Sequence, residues 1–377
     1  MNKFVLSALA LTTAGGLATA GTGSEEWLTL DREIESLASA QTTATASSSG
    51  ITLSGFIRSS YVNSGDINTD PGGTDNDLSG FSLDNARLNV AGNVGDYSLY
   101  VQIDAAEPSF FLGGPAPDGL LPFPLGAGTS YGGFAYVLDA YAAWNISEQF
   151  KLTMGQFRSP FLASSQRDEN ELFFLDRTVL AHLWSTRDQG VMLSGQYDML
   201  GWWLAAQNGL DGVGDDMAFS GRVAFDAMGT GRARIEGAYG APEGTNLGVS
   251  AGYYTDGDSV QDDVSAWNLE ANLVAGPFSA EGSYAAHDDG FGALLGLTEG
   301  PSIYALAAGF MFVPDRWEAA IRYEDLDDDD STTVLTLGIN YYAVGHDAKW
   351  GFNYAVLDSD DSSLEANIFG IGLTVGV

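Results

Sequence analysis

The sequence predicts an all-β fold, and within that class a closed antiparallel barrel whose strands cross a membrane. Three observations favour this fold. From residue 50 onward, apolar and polar residues alternate in segments of roughly nine to thirteen residues, the length at which a tilted strand crosses a bilayer. The apolar faces end in Tyr, Trp and Phe, which are typical of a membrane–water interface. The opposite faces carry charges that would be costly in a dry core.

The composition agrees with this fold and excludes several functions. The 377 residues include 48 Gly and 12% aromatic residues, while only 17% are charged, which is the balance expected of an all-β protein with many turns. The absence of Cys excludes disulfide scaffolds, thiolate metal sites and cysteine nucleophiles. The 50 acidic and 15 basic residues give a formal charge of −35, so we expect no binding of nucleic acid.

Residues 1–20 are predicted to be a secretory signal peptide. A basic start is followed by the apolar run Phe4–Leu11 and by the small residues Ala18–Ala20, which are typical of a cleavage site. The mature chain is then expected to begin at Gly21. No later apolar run reaches the roughly 18 residues that a transmembrane helix needs. We therefore expect an exported protein of the bacterial outer membrane.

Residues 21–49 are predicted to form a short helical segment and a linker. Trp27, Leu30, Ile34 and Leu37 follow the 3-4-3 spacing of a coiled-coil seam. So short a helix is marginal alone, so it would either associate with further copies of the chain or dock on the barrel as a lone amphipathic helix. Residues 38–49 are rich in Ser, Thr and Ala and predict a flexible linker, which leaves 50–377 as the barrel domain.

The connections between the predicted strands set their number. Short turns alternate with longer, acidic connections, and in membrane barrels the short turns face the periplasm. Arg232–Tyr239 resembles a strand but breaks this alternation, so we place residues 228–244 in a longer periplasmic connection. The count is then 16 strands with both ends in the periplasm, and a barrel of this size encloses an aqueous channel.

Charged residues with the parity of the polar face are predicted to line the water-filled interior. A charge that costs several kcal/mol in a dry core costs little against water. The predicted pore-lining residues are Arg58, Arg87, Asp104, Asp139, Lys151, Arg222, Glu270, Glu318 and Arg322.

Three blocks of the sequence resemble the phosphate-selective porin O and P family. They are LTMGQFRSPFLASSQRDENELFFLDRTVLAHLWSTRDQGVMLSG (Leu152–Gly195), PDRWEAAIRYEDLD (Pro314–Asp327) and LGINYYAVGHDAKWGFNYAV (Leu337–Val356). The resemblance implies a trimeric outer-membrane barrel with a passage through each monomer, and a loop after the fifth strand that folds inward. The chain departs from this family in its scarcity of Lys and in ending at Val377 rather than at an aromatic residue.

The candidate constriction is residues 159–188, the connection that follows the fifth predicted strand. Its apolar residues can dock against the inner wall and leave its charges available to the pore, where opposed fixed charges set ion preference. In the alternative, the loop packs on the rim and its charges face water. The candidate residues are Arg158, Arg167, Asp168, Glu169, Glu171, Asp176, Arg177 and Arg187.

The acidic outer loops raise the question of divalent cations. Asp66, Asn68, Asp70 and Asp77 partly match the spacing of a calcium loop. In the alternative, the acidic loops are a solvated surface, or divalent ions bridge them to anionic lipopolysaccharide. We expect no other cofactor.

The predicted function is a porin that lets small hydrophilic solutes and ions diffuse through a water-filled channel. One alternative is a phosphate- or anion-selective channel, and another is a closed barrel acting as a surface adhesin or structural protein. The expected partners are outer-membrane lipid and lipopolysaccharide, and further copies in a homotrimer. We do not expect the protein to be an enzyme. An outer-membrane phospholipase would need a Ser–His pair on the outer face, and His287 has the parity of the inner face.

Overall fold

The structure is a computed structural model. It describes residues 50–65, 78–106, 135–210, 212, 216–230, 236–257, 263–361 and 364–377. The predicted signal peptide, the coiled-coil seam from Trp27 to Leu37 and the linker lie outside the described residues. So do the predicted calcium ligands Asp66, Asn68, Asp70 and Asp77.

Gly50–Val377 form one compact unit that is built almost entirely of strands. The described helices are short: α1 (Val179–Leu183), α2 (Asp289–Leu295) and two 3₁₀ turns. None of the helices in the described part of the chain is long and apolar enough to cross a membrane. The strands are β1 (Ile51–Gly65), β2 (Leu78–Val94), β3 (Tyr97–Asp104), β4 (Tyr136–Asn145), β5 (Phe150–Arg158), β6 (Arg187–Tyr197), β7 (Leu200–Gln207), β8 (Ala218–Met228), β9 (Thr245–Asp256), β10 (Val264–Ala275), β11 (Phe278–His287), β12 (Ser302–Val313), β13 (Trp317–Asp325), β14 (Thr333–Val344), β15 (Ala348–Asp358) and β16 (Ala366–Gly376).

The 16 strands form a closed antiparallel barrel, as the sequence predicts. Each strand pairs with its neighbours in the chain, and β1 closes the barrel against β16, with Ile57 opposite Val375. β8 ends at Met228 and β9 begins at Thr245, so their connection adds no strand to the count. Near the chain end, Gly376 N donates to Asp347 O in a short turn, which places that end beside the short connections.

The alternation along each strand separates an apolar outer face from a polar inner face. In β8, the side chains of Phe219 and Val223 are 54% and 52% exposed, whereas Ser220 and Arg222 are 7% and 3% exposed. An apolar outer face suits lipid, and the alternation fixes the register because a slip by one residue would turn every charge outward.

A bulge between β1 and β2 changes which side chains reach the inner face. Arg58 pairs with Asn85 and Ser59 pairs with Leu83, so Asp84 is an extra residue in β2. Asp84 and Asn85 are consecutive, yet both make contacts on the inner face: Asp84 with Arg58, and Asn85 with Asp104. The bulge therefore brings one more carboxylate inward than strict alternation would.

Candidate functional site

Residues 159–186 connect β5 to β6 and pack against the inner face of the barrel; we call them the inner loop. Phe161, Leu162 and Leu180 are fully buried, and Leu172 is nearly so. The loop ends two residues earlier than the sequence predicted, because Arg187 and Asp188 already pair with β5. The structure describes every residue of this loop. The loop contacts strands that are far in the barrel from β5 and β6, which it connects.

Inward carboxylates hold the backbone N–H groups of the inner loop. Glu270 on β10 accepts hydrogen bonds from Ala163 N and, at 2.9 Å, from Ser164 N. Glu324 on β13 accepts a hydrogen bond from Val179 N at 2.9 Å. These strands lie opposite the start of the loop, so the bonds fix it across the barrel.

Inward donors hold the carbonyl groups of the same loop. Asn268 on β10 donates to Phe161 O at 2.8 Å, and Asn340 on β14 donates to Phe173 O at 2.7 Å. Arg322 donates to Asp176 O at 2.9 Å, and Lys349 donates to Leu172 O. Because an unpaired buried backbone group costs free energy, these side chains are what permit an irregular segment to lie inside the barrel.

Three consecutive apolar side chains of the inner loop pack against inward-facing glycines. Phe173 lies against Gly309 and Phe174 against Gly338. Leu175 lies against Gly351, Gly370 and Gly372, and a Cβ on Gly372 would come 2.4 Å from Leu175 Cδ2. These glycines leave room that any larger residue would fill.

The second half of the inner loop is attached through an aromatic cluster. Trp184 stacks on Phe291 and on His287, with ring centroids 5.4 and 5.9 Å apart, and contacts Phe161 and Tyr254. Trp184 Nε1 donates to His287 Nε2 at 3.2 Å. His287 therefore has a structural partner on the inner side.

Glu169 lies at the centre of a group of arginines. It contacts Arg177 at 2.9 Å, Arg158 at 3.8 Å and also Arg87. Burial opposes the charge of Glu169, but Arg177, Arg87 and Arg158 outweigh it and hold the pKa of this carboxyl well below its usual range. Glu169 therefore stays ionised, and its ion pairs tie the 3₁₀ turn Glu169–Glu171 to β2 and β5.

Arg167 lies between two carboxylates. Its Nη1 is 2.7 Å from Glu236 Oε1 and 2.6 Å from Glu281 Oε2. Burial would lower the pKa of Arg167, but Glu281 and Glu236 outweigh burial and raise it. Burial likewise opposes the charge of Glu236, yet Arg167 and the hydrogen bond from Phe173 N lower its pKa.

The remaining predicted charges are also engaged. Arg58 lies 3.8 Å from Asp176, Arg187 lies 3.5 Å from Asp139, and Arg87 lies 3.0 Å from Asp104.

The other predicted charges make hydrogen bonds, ring contacts or strand pairs. Glu171 accepts a hydrogen bond from Asp168 N at 3.3 Å, and burial raises the pKa of Glu171. Glu318 accepts from Ala238 N, Arg222 stacks over the Trp203 ring at 4.3 Å, and Lys151 pairs in register with Ser194 on β6.

Across the described residues, the ion pairs on the inner face join seven arginines to nine carboxylates. Four of the nine residues that the sequence places in the pore, Arg58, Arg87, Glu270 and Arg322, thus hold the inner loop. The role of the nine in lining a passage stays a prediction.

Sequence reasoning missed several residues that position the loop. The parity of the polar face marks Glu281 and Lys349, so this signal could have found them. It does not mark Glu236, which lies between strands. Nor does it distinguish the glycines opposite the loop from the many others in the chain.

A cavity of about 70 Å³ lies between the inner loop and the inner face of β8–β13. Its lining carries both signs of charge: Arg167, Arg222, Arg322, Glu236, Glu270 and Glu281. Within the described ranges, no group of three or more His, Asp or Glu side chains is placed to hold a metal ion.

The barrel is similar to solved outer-membrane structures at low sequence identity. OprB of Pseudomonas putida is 10% identical with a TM-score of 0.60, over 87% of this chain and 94% of that one. An anion-selective porin from Comamonas acidovorans is 12% identical with a TM-score of 0.58, over 87% and 99%. OmpT of Vibrio cholerae in its trimer form is 13% identical with a TM-score of 0.53, over 87% and 99%. These likenesses show the fold alone.

No curated protein sequence matches the chain. The profile of the Gram-negative porin family matches residues 36–362. This match and the closed 16-stranded barrel locate the protein in the outer membrane, as the sequence predicts. Because the match covers well over half of the chain, the chain belongs to the Gram-negative porin family.

Proposed function

We propose that the protein is a passive pore for small hydrophilic solutes and ions, and that the inner loop narrows it. The observation that carries this proposal is the attachment of the inner loop to inward side chains on β1, β2, β10, β11 and β13–β15. A segment held at so many points across the barrel reduces the open cross-section and has a fixed position. The cavity beside β8–β13 then lies on the passage.

The charges favour a general pore over a tight anion site. The cavity lining has three basic and three acidic side chains, and each of the seven paired arginines on the inner face has a carboxylate within 4 Å. A phosphate ion would have to displace those carboxylates. We therefore expect weak cation preference at low salt and no tight phosphate binding.

A phosphate- or anion-selective channel is the second candidate. The resemblance of three blocks to the phosphate-selective porin O and P family supports it, as does the similarity to an anion-selective porin. The arginines around Glu169 are the basic groups that such a channel would use. A closed barrel serving as an adhesin or a structural protein is the third.

Planar-bilayer recording of the purified protein separates the three. A general pore gives stable single-channel steps whose current rises with salt and is insensitive to millimolar phosphate. Block of chloride current by phosphate, or strong anion preference, would favour the second candidate. A correctly folded barrel that gives no current would favour the third.

The narrowing itself is tested with Arg167→Gln, which removes a charge from the inner loop beside the cavity. We expect a change in single-channel conductance and in reversal potential. The matched control is Arg316→Gln, which removes the same charge from the short turn between β12 and β13. If both variants conduct like the wild type, the inner loop does not narrow the pore.

We also propose a homotrimer. The seam from Trp27 to Leu37 supports it, and a similar solved structure is a trimer form. Deleting residues 21–49 should weaken assembly and leave the barrel folded, because the barrel closes without them. Native mass measurements test this, and a monomeric intact protein would contradict it.

The surroundings that we propose for the barrel are lipid and lipopolysaccharide. The apolar outer face suits lipid chains. The acidic outer connections suit divalent ions that bridge to anionic lipopolysaccharide, and a calcium site at Asp66–Asp77 stays a prediction.

A further inference from the structure

The longest connection at the short-turn end of the barrel is residues 229–244, between β8 and β9. The other connections at this end have two to four residues. The part that the structure describes after the first turn, residues 236–244, packs inward; we call it the periplasmic insert. A turn that only joined two strands would need no inward contacts.

The periplasmic insert is attached to the inner face of β13 and β14. Ala238 N donates to Glu318 Oε1 at 2.6 Å, and the Tyr342 hydroxyl donates to Glu318 Oε2 at 2.8 Å. The Tyr239 ring stacks on Tyr342 with centroids 4.5 Å apart. Gly237 has φ +82°, and a Cβ there would come 2.8 Å from Glu318 Oε2, so glycine is required at this approach.

Glu236 joins the insert to the inner loop through three hydrogen bonds. Its Oε1 accepts from Arg167 at 2.7 Å, and its Oε2 accepts from Phe173 N at 2.7 Å. Its own backbone N donates to Glu171 O at 3.3 Å. One residue from the short-turn end thus holds the middle of a loop that enters from the opposite end.

The Arg167 side chain shows why this contact positions the loop. Arg167 donates to Glu236 and to Glu281 on β11, so its place is set by one carboxylate from the insert and one from the wall. Without Glu236, the Phe173 N–H would be buried and unpaired, and Arg167 would keep only its contact with the wall. The segment between Arg167 and Phe173 would then lose its support on the periplasmic side.

We propose that the periplasmic insert is a second narrowing element of the pore, and that Glu236 is the positioning residue that fixes the inner loop from the periplasmic side. This inference rests on the proposed function, in which the inner loop narrows the passage. It adds that the passage is defined jointly by two segments that enter from opposite ends of the barrel. Glu236 and Arg167 both line the cavity beside β8–β13, so the junction lies on the proposed path.

Two variants of the insert that remove the same charge test the proposal. Glu236→Gln removes the ion pair with Arg167, while its amide oxygen can still accept from Phe173 N. Glu243→Gln removes a carboxylate that is exposed in the same segment. We expect Glu236→Gln to raise single-channel conductance, to add current fluctuations and to shift the reversal potential toward anions. Glu243→Gln should change none of these.

A double-variant cycle separates positioning from general loss of structure. If Glu236 acts through Arg167, then Glu236→Gln in an Arg167→Gln background should add little to the conductance change of Arg167→Gln alone. Additive changes would mean that the two side chains act independently. That result would overturn the role assigned to Glu236.

A single cysteine tests the place of the insert in the passage. The chain has no Cys, so Ala241→Cys provides one unique thiol. A bulky charged thiol reagent added from the periplasmic side should lower the current of this variant and leave the wild type unchanged. If labelled Ala241→Cys and Glu236→Gln both conduct like the wild type while Arg167→Gln does not, the proposed function stands and this inference fails. If Arg167→Gln also has no effect, the proposed function fails as well.

Discussion

At Glu169, burial and ionisation act against each other, and the surrounding arginines decide the outcome. The folded pKa lies below the ordinary value of 4.5 because the arginines outweigh burial. A carboxyl whose pKa is lowered by folding stabilises the folded state above its unfolded pKa, and this stabilisation is lost as pH falls through the folded value. The attachment of the inner loop by Glu169 should therefore persist from neutral pH down to pH 4.5 and weaken only below it.

We predict that Glu169→Gln loosens the inner loop. The substitution leaves Arg87, Arg158 and Arg177 buried together without their shared counter-charge, and removing one partner of a buried pair costs about 3–5 kcal/mol. Amide hydrogen exchange at Phe173 and Val179 should accelerate by roughly a hundred-fold or more, since 1.4 kcal/mol is about tenfold.

Asp168→Asn is the matched control for Glu169→Gln. Asp168 contacts two of the same arginines, at 3.2 and 3.6 Å, but 30% of its side chain is exposed, so water compensates part of the lost charge. Its effect on exchange should be clearly smaller. Equal effects of the two variants would mean that Glu169 has no special place in the network.

Asp176 should make ion selectivity depend on pH. Burial raises its pKa to about 6, with Arg58 opposing this shift and Asp84 adding to it. Asp176 is therefore mostly ionised above pH 6, and the carboxyl becomes neutral as pH falls from 7 to 5. The Asp176 side chain is 36% exposed, so salt should weaken the effect of its charge on ion selectivity.

We predict that cation preference falls between pH 7 and pH 5, because Asp176 loses its charge there. Asp176→Asn should show the low-pH selectivity already at pH 7 and little change below it. Reversal potentials measured at several pH values check this. A variant that keeps the full pH dependence of the wild type would assign the titration to another group.

At the scale of the element, the inner loop depends on glycines of the opposite wall. Leu175 packs where Gly351, Gly370 and Gly372 have no side chains. We predict that Gly372→Val displaces Leu175, because a Cβ there comes 2.4 Å from Leu175 Cδ2. The inner loop should move from the wall, and the single-channel current should become larger or less stable.

Gly92→Val is the control for Gly372→Val. A Cβ on Gly92 meets Leu99 and Ile51 only at ordinary contact distances of 3.5 and 3.7 Å, and both of these side chains are exposed on the outer face of the barrel. The two variants add the same side chain to a strand glycine. If Gly372→Val conducts like Gly92→Val and the wild type, the contact between Leu175 and the wall does not hold the loop.

The strands could be predicted from the sequence because each carries its own signal. Alternation and turn lengths are local, and they give the strand count and the end of the barrel at which each connection lies. The attachment of the inner loop is not local: Asn340 bonds to a carbonyl 167 positions earlier in the chain. Parity identified Glu270 and Arg322 as inward residues, but it could not show that they bond to the backbone of a loop.

Residues 229–244 show the same limit. Arg232–Tyr239 alternates like a strand, and only the parity of the other connections argued against it. The described part of this connection contains Glu236, whose partners Arg167 and Phe173 are more than 60 positions away. A carboxylate outside the strands carries no parity, so nothing in the local pattern marks it.

At the scale of the whole molecule, charge is distributed unevenly. The chain has an excess of 35 acidic groups, and many of them lie in connections at the outer end, including Asp327–Asp330. On the inner face, by contrast, the described ion pairs join nine carboxylates to seven arginines and are close to balance. The mouth should therefore attract cations, while the narrow part should discriminate little.

The effects of the mouth and of the narrow part on ion selectivity should differ in their dependence on salt concentration. Exposed charge acts over about 30 Å at 0.01 M salt but over about 3 Å at 1 M, whereas charges at a narrow, partly buried site are screened less. We predict cation preference in dilute salt that approaches neutrality at about 1 M.

Two sets of variants test this prediction. Glu299→Gln combined with Glu365→Gln, both exposed in outer connections, should reduce the cation preference in dilute salt and leave the selectivity at high salt unchanged. Asp168→Asn, in the inner loop, should shift selectivity at both concentrations. Strong anion preference in dilute salt would instead show that the inner arginines dominate the acidic mouth and would support the phosphate- or anion-selective channel.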